Sequence, residues 1–224
     1  MVLQSNTSSA AKSQSGFILQ TANSLTGRFQ LTSDCTGVGA AQGSVNGTDV
    51  SLAETQTSQN LNLTGTAAAD GSTMQGNYTI LASGCGSSDV GTWTATQVKP
   101  INGSFSGSFT SSAIQGLIYP VTGMVTQGSN TGGSSASLTG TMASTGAPCF
   151  SNVNLAGMVS GTTVVFNLLT SDGTAIGQFR PIATSDGTKL SGQYDINPQS
   201  QLPQTCRTGD FGTGSVTVQP ASAM

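Results

Sequence analysis

Charge is the property this sequence has least of. Only 7% of the 224 residues are Asp, Glu, Lys or Arg, against about 25% in ordinary soluble domains. Gly, Ser, Thr, Asn and Gln take their place, so the expected surface is neutral and rich in hydroxyls. Six Lys and Arg, scattered singly in a chain of net charge −3, leave nothing to neutralise a phosphate backbone, which excludes nucleic acid and a polybasic membrane patch. There is no histidine, which removes Ser-His-Asp and Cys-His catalysis. Without histidine and without a C-x-x-C pair, zinc-site spacing is also missing. The one S-x-x-K match, Ser9 to Lys12, lacks its companion motifs and is read as coincidence. Calcium-repeat spacing is absent, and no cofactor, metal or enzymatic activity is expected. No apolar run approaches the ~20 residues of a membrane-spanning helix. No window carries a sustained 3.6-residue stripe, so almost no helix is expected. Residues 1–15 lack the basic start and apolar stretch of a signal peptide and are read as a polar leading segment at a mature start, the export signal having been removed.

What the chain does contain is a repeat. Leu25-Thr26-Gly27 recurs as Leu138-Thr139-Gly140, each followed by a cysteine, Cys35 or Cys149. The stretch from Gly43 to Val50 matches Gly157 to Val164, keeping both glycines, the Val between them and the closing Thr-x-Val. Asp70-Gly71 through Gly76-Asn77-Tyr78-Thr79-Ile80 matches Asp186-Gly187 through Gly192-Gln193-Tyr194-Asp195-Ile196. A second cysteine, Cys85 or Cys206, then precedes Asp-Val-Gly-Thr at Asp89 or Asp-Phe-Gly-Thr at Asp210. The common order marks a duplication. Four cysteines allow three pairings, and only Cys35 with Cys85 and Cys149 with Cys206 keeps each bridge inside one copy. Such loops of 50 and 57 residues are worth on the order of 4 kcal/mol each in the chain-entropy model, and they imply an oxidising compartment.

Within each copy the pattern has period two. Met74-x-Gly76-x-Tyr78-x-Ile80, Leu190-x-Gly192-x-Tyr194-x-Ile196, Phe105-x-Gly107-x-Phe109 and Leu61-x-Leu63-x-Gly65 put apolar residues or Gly on one face and polar residues on the other, the signature of half-buried strands. A mid-strand glycine marks tight coiling or a close neighbour. Asn46-Gly47, Asp70-Gly71, Ser160-Gly161, Asp172-Gly173 and Asp186-Gly187 are hairpin turn signals. From residue 103 onward eight strands are expected, at 103–110, 117–127, 136–143, 152–159, 162–170, 174–184, 188–196 and 211–218. The fold class is therefore all-β, two tandem antiparallel up-and-down meanders, each a lipocalin/avidin-like barrel or a sandwich. The division is a first unit at 16–100, a second at 101–219 and a tail at 220–224. The first unit has only residues 16–21 to match the opening of the second and is read as lacking its leading strand. That predicts an open sheet edge and self-association by strand pairing.

Units such as Gly-Ser-Phe-Ser-Gly-Ser-Phe at 103–109, Ser-Leu-Thr-Gly-Thr at 137–141, Pro-Cys-Phe at 148–150 and the Gly-x-Tyr-x-Ile strand resemble a family of Gly/Ser/Thr-rich secreted proteins and lipoproteins of soil bacteria, Acidobacteria in particular. The resemblance covers nearly the whole chain and implies export and an envelope location, with no activity attached. The lipobox cysteine of such lipoproteins is not in this sequence. Leu-Thr-Gly and Gly-x-Tyr on eight strands also resemble avidin-like barrels, but the several tryptophans of a biotin pocket are missing, Trp93 being the only one.

Few residues suggest contact chemistry. Asp89 and Asp210 recur beside the second cysteine and are candidates for carbohydrate or calcium contact, or, more plainly, side chains that accept bonds from loop backbone. Trp93, matched by Gly214 in the second copy, is a local filler or the one candidate for ligand stacking. Tyr78 and Tyr194 are assigned to the core. Glu54 has no counterpart, so a repeated carboxylate pair of glycosidase type is not indicated. The expected role is a non-enzymatic extracellular or cell-envelope structural or adhesion protein that forms fibres through its open edge. The alternative is a barrel holding a small apolar ligand or carbohydrate. A lumen cavity of several hundred Å3 favours the ligand, a filled lumen the structural role.

Overall fold

Alternating strands separated by Gly-containing turns fold into two antiparallel barrels of eight strands each. The computed structural model describes residues 1–31, 37–56, 59–82, 86–130, 132–147, 150–198 and 208–220. Cys35, Cys85, Cys149 and Cys206, with the pairing expected for them, lie outside the described residues. Contacts divide the chain into Met1–Gln97 with Asn130–Ser135, and Val98–Ser129 with Ala136–Met224.

The first barrel is β1 (Val2–Ser5), β2 (Ala11–Thr21), β3 (Ser24–Leu31), β4 (Gly37–Asn46), β5 (Asp49–Gln56), β6 (Gln59–Ala67), β7 (Thr73–Ala82) and β8 (Asp89–Thr96). The second is β9 (Gly103–Ser111), β10 (Ile118–Gln127), β11 (Ala136–Ser144), β12 (Asn152–Ser160), β13 (Thr163–Leu169), β14 (Ala175–Ala183), β15 (Lys189–Ile196) and β16 (Asp210–Pro220). Every strand pairs with its neighbours in sequence, and each barrel closes by pairing its last strand with its first, β8 with β1 and β16 with β9. The strands of the second copy fall within two residues of the ends read from the sequence. No helix occurs among the described residues.

The expected open edge is corrected by this topology. The first unit lacks no strand: β1 and the start of β2 lie inside the segment read as a polar leader, and β1 bridges β2 and β8. The segment looked non-structural because the inward Ser5, Lys12 and Gln14 are polar and leave Leu3 as an isolated apolar position. Alternation of apolar and polar residues cannot show when both faces are polar. With both sheets closed, the open edge on which fibre formation was expected does not exist.

Inward positions fill the lumens. Leu3, Leu25, Phe29, Leu52, Leu61, Leu63, Ile80 and Trp93 are buried in the first barrel. In the second, the ring of Phe109 stacks on Tyr194 at 4.8 Å and lies against Phe179 at the same separation. Mid-strand glycines mark close approach of neighbouring chains: a Cβ on Gly76 would sit 1.9 Å from the Thr64 carbonyl oxygen. The glycines of all five turn signals have positive φ, from 57° to 88°, which suits hairpin turns.

Candidate functional site

The structure ties together two features that the sequence repeats separately, the tyrosine of Gly-x-Tyr-x-Ile and the aspartate of Asp-x-Gly-Thr. In the second barrel, Asp210 is 2% exposed. Its Oδ1 accepts from Ser111 Oγ at 2.6 Å and the Phe211 amide at 2.9 Å, and its Oδ2 from Tyr194 at 2.8 Å and Tyr119 at 2.9 Å. The two tyrosine oxygens are 2.7 Å apart. In the first barrel, Asp89 accepts from Ser5 Oγ at 2.7 Å, Tyr78 OH at 2.7 Å and the Val90 amide at 2.9 Å. The fourth partner there is Lys12, whose ammonium lies 3.6 Å from Oδ2. Register makes Lys12 the counterpart of Tyr119: Leu3 pairs with Lys12 as Phe109 pairs with Tyr119. The glycine of Asp-x-Gly makes room for the ring, since a Cβ on Gly91 would meet Tyr78 Cε1 at 2.8 Å and one on Gly212 would meet Tyr194 Cε1 at 3.0 Å.

These carboxylates are therefore held by side chains as well as by the adjacent backbone amide. Burial pushes the Asp89 carboxyl up, but the Ser5 and Tyr78 hydroxyls, the Lys12 charge and the Val90 amide outweigh it and hold the group below its ordinary value. Tyr78 is pushed up to about 12, by burial first and by the Asp89 carboxylate second. Burial, then the bond to Tyr194, pushes Tyr119 far above the ordinary tyrosine range. Each cluster is an internal clasp, with its oxygens turned to groups of its own barrel. Both clasps span the seam, because the Ser5 and Asp89 pair joins β1 to β8 and the Ser111 and Asp210 pair joins β9 to β16.

Trp93 is 1% exposed and its Nε1 donates to the Thr64 carbonyl at 3.1 Å. Its ring packs within the core of the first barrel. Its counterpart Gly214 lies under the Phe109 and Phe179 rings, to which a Cβ would come within 2.6 and 2.9 Å. Register matches those phenylalanines to Leu3 and Leu63, so one indole with two leucines replaces two phenyl rings over a glycine.

A second polar group went unrecognised in the sequence. Glu54, 1% exposed, and Gln14, 4% exposed, are inward residues of the first barrel. Gln56 Nε2 donates to Glu54 Oε1 at 2.6 Å. Glu54 Oε2 and both polar atoms of the Gln14 amide are buried without a hydrogen-bond partner; the amide lies alongside the carboxyl but out of bonding geometry. Burial pushes the Glu54 carboxyl up, against the weaker pull of the Gln56 and Gln14 amides. Register aligns Gln14 with Val121, Gly39 with Val153 and Glu54 with Leu168. The signal was the departure of the first copy from the second at three aligned positions, legible only once register was known. Asp70, Asp172 and Asp186 are explained by their turns, where they accept from the backbone amides of Ser72, Thr174 and Thr188.

No family model, curated protein or solved structure matches the chain.

Proposed function

We propose that the protein is a non-enzymatic structural or adhesion protein of the extracellular space or cell envelope, working through the outer walls of its barrels. The observation that carries this reading is the filled lumen of the second barrel. Only about 10 Å3 is free among Phe105, Val125, Met142, Leu155, Phe166, Phe179, Leu190 and Val216, about the room of a single water and far below a ligand cavity of several hundred Å3. Outward positions instead form rows of hydroxyls and amides. Ser108 pairs with Ser215 and Ser106 with Thr217 in the second barrel, and Thr64 with Asn77, then Asn77 with Thr92, in the first.

An open concavity of about 270 Å3 lies over β10 to β12, where Thr122, Thr141, Asn152, Asn154 and Ser171 line it together with the apolar Met142, Ala143 and Val153. Its donors and acceptors complement sugar hydroxyls, which makes a polysaccharide surface the favoured substratum. Co-sedimentation with insoluble polysaccharides and peptidoglycan tests this. Retention that falls in Asn154→Leu and Thr141→Val supports the reading. Absence of retention, together with a small molecule copurifying in native mass spectrometry, overturns it in favour of a carrier.

A further inference from the structure

We propose that Asn167, Gln178, Arg180, Asp195 and Phe211 form a glycan-binding strip on the outer wall of the second barrel, which takes a neutral polysaccharide of equatorially substituted pyranose rings. The strip rests on the polysaccharide reading above and gives it a second contact, sharing no residue with the concavity over β10 to β12. Register sets Asn167 opposite Gln178, Gln178 opposite Asp195 and Asp195 opposite Phe211. The row therefore crosses β13 to β16 on one face, over about 14 Å at the usual strand spacing. Arg180 is the next outward residue of β14 after Gln178. Phe211 is 57% exposed, and among the described residues no other aromatic side chain is exposed.

The polar members are joined to one another before any ligand arrives. Gln178 Nε2 donates to Asn167 Oδ1 at 2.8 Å, Arg180 Nε to Gln178 Oε1 at 2.9 Å, and Arg180 Nη1 to Asp195 Oδ1 at 2.7 Å. This chain fixes the planar groups and lowers the ordering cost of binding. Among the described residues it leaves Asp195 Oδ2 as an acceptor, and Asn167 Nδ2 and Arg180 Nη2 as donors, without a protein partner. Adjacent sugar hydroxyls, each donor and acceptor, match that set. Arg180 and Asp195 balance each other's charge, which favours an uncharged ligand. Beside them Phe211 supplies an apolar platform: a pyranose with equatorial hydroxyls turns a face of axial C–H groups outward, and such a face packs on the electron-rich face of a phenyl ring. A peptide strand has no edge to join, since the sheet is closed. At the aligned positions the first barrel carries Ala53, Asn62, Thr64, Thr79 and Val90, so the fold requires neither the ion pair nor the aromatic here.

The test is native affinity electrophoresis of the whole chain through gels cast with hydroxyethyl cellulose, glycol chitin or carboxymethyl cellulose. Retardation is expected in at least one of the two neutral polymers. Phe211→Ala is expected to weaken that binding about tenfold or more, as removal of an aromatic anchor does, and Phe211→Tyr to retain it. Asp195→Ala is expected to weaken it as well, and decides the matter if Phe211→Ala does not fold; Val90→Ala, the aligned change in the first barrel, is expected to leave it unchanged. Retardation that survives both Phe211→Ala and Asp195→Ala but is lost in Asn154→Leu overturns the strip while the polysaccharide reading stands. Stronger retardation by carboxymethyl cellulose than by either neutral polymer overturns the assignment to a neutral glycan. No retardation in any gel overturns the strip, and joined to absence of co-sedimentation it removes the polysaccharide reading too.

Discussion

The polar layer of the first barrel can be rebuilt as its apolar counterpart, and the structure sets the cost of each step. Gly39→Val alone forces a Cβ to within 2.2 Å of Glu54 Oε1, 2.7 Å of its Cγ and 2.8 Å of Gln56 Cγ. Overpacking of this kind costs about 2 kcal/mol. Glu54→Leu alone removes a buried, unpartnered oxygen worth about 1 to 3 kcal/mol, but opens a gap beside Gly39 that gives back about 1 kcal/mol. In the double variant the valine enters that gap and gains about 2 kcal/mol of burial. The double variant is then more stable than the native chain although one of its components is destabilising, with a coupling of about 5 kcal/mol, above the usual range for residues in contact because the clash is relieved, the gap closed and the valine buried together. The assay is urea unfolding followed by Trp93 fluorescence. The reasoning is refuted if Gly39→Val is silent beside native Glu54, or if the two single effects simply add to within about 0.5 kcal/mol.

Asp210→Ala strips the acceptor from three hydroxyls and is expected to cost about 3 to 5 kcal/mol, whereas Tyr119→Phe, which removes one hydroxyl and keeps the ring, costs about 1.5 to 3 kcal/mol; near-ultraviolet tyrosine dichroism on melting reads both, and a loss under about 1 kcal/mol for Asp210→Ala would mean that the clasp does not hold the barrel. Because the folded pKa of Glu54 is raised, its contribution is fully present below the unfolded value of about 4.3 and is lost as pH rises through the folded value. The first barrel should therefore weaken on going from about pH 4 toward neutrality, and Glu54→Gln should abolish that slope. Peptide mapping without reduction is expected to find Cys35 joined to Cys85 and Cys149 to Cys206, since β3 and β7 end at one rim of the first barrel, and β11 and β15 at one rim of the second; a bridge between copies would contradict the duplication as a pair of self-contained units.

What the sequence made legible depended on whether inward and outward residues differ in chemistry. In β15 the inward Leu190, Tyr194 and Ile196 alternate with Ser191, Gln193 and Asp195, and the strand could be read directly. In β1 and β2 the inward Ser5, Lys12 and Gln14 are as polar as their neighbours, and a lone Leu3 is too little to show an alternation. The clasps were half legible. Tyr78 and Tyr194 were rightly assigned to the core, and Asp89 and Asp210 were noticed because they recur, but their junction depends on a diagonal contact across a hairpin in which Gly91 or Gly212 makes room. Glu54 drew attention as a carboxylate without a counterpart. Its meaning became readable only when register set Gly39 against Val153, since a glycine among many glycines carries no signal until its neighbour is known.

The contrast between the conserved clasp geometry of the two barrels and their divergent interior layers follows from where each lies relative to the seam. Pairing the last strand with the first closes the longest loop in each barrel, and that closure carries the largest entropic cost. The bonds between Ser5 and Asp89 and between Ser111 and Asp210 join residues 84 and 99 positions apart. β1 offers its neighbours only three and four paired residues, where β9 offers eight and nine, so the first barrel relies on its clasp more heavily. Replacement of Tyr119 by Lys12 fits that need, because an ammonium near the carboxylate adds attraction that a second phenol does not. Glu54 and Gly39, two of the three divergent positions, sit on β5 and β4, remote from the seam in strand order, where adjacent hairpins on both sides already hold the wall. A polar substitution there weakens packing without opening the barrel, and that tolerance lets a charged group occupy the lumen of one copy while the other remains apolar.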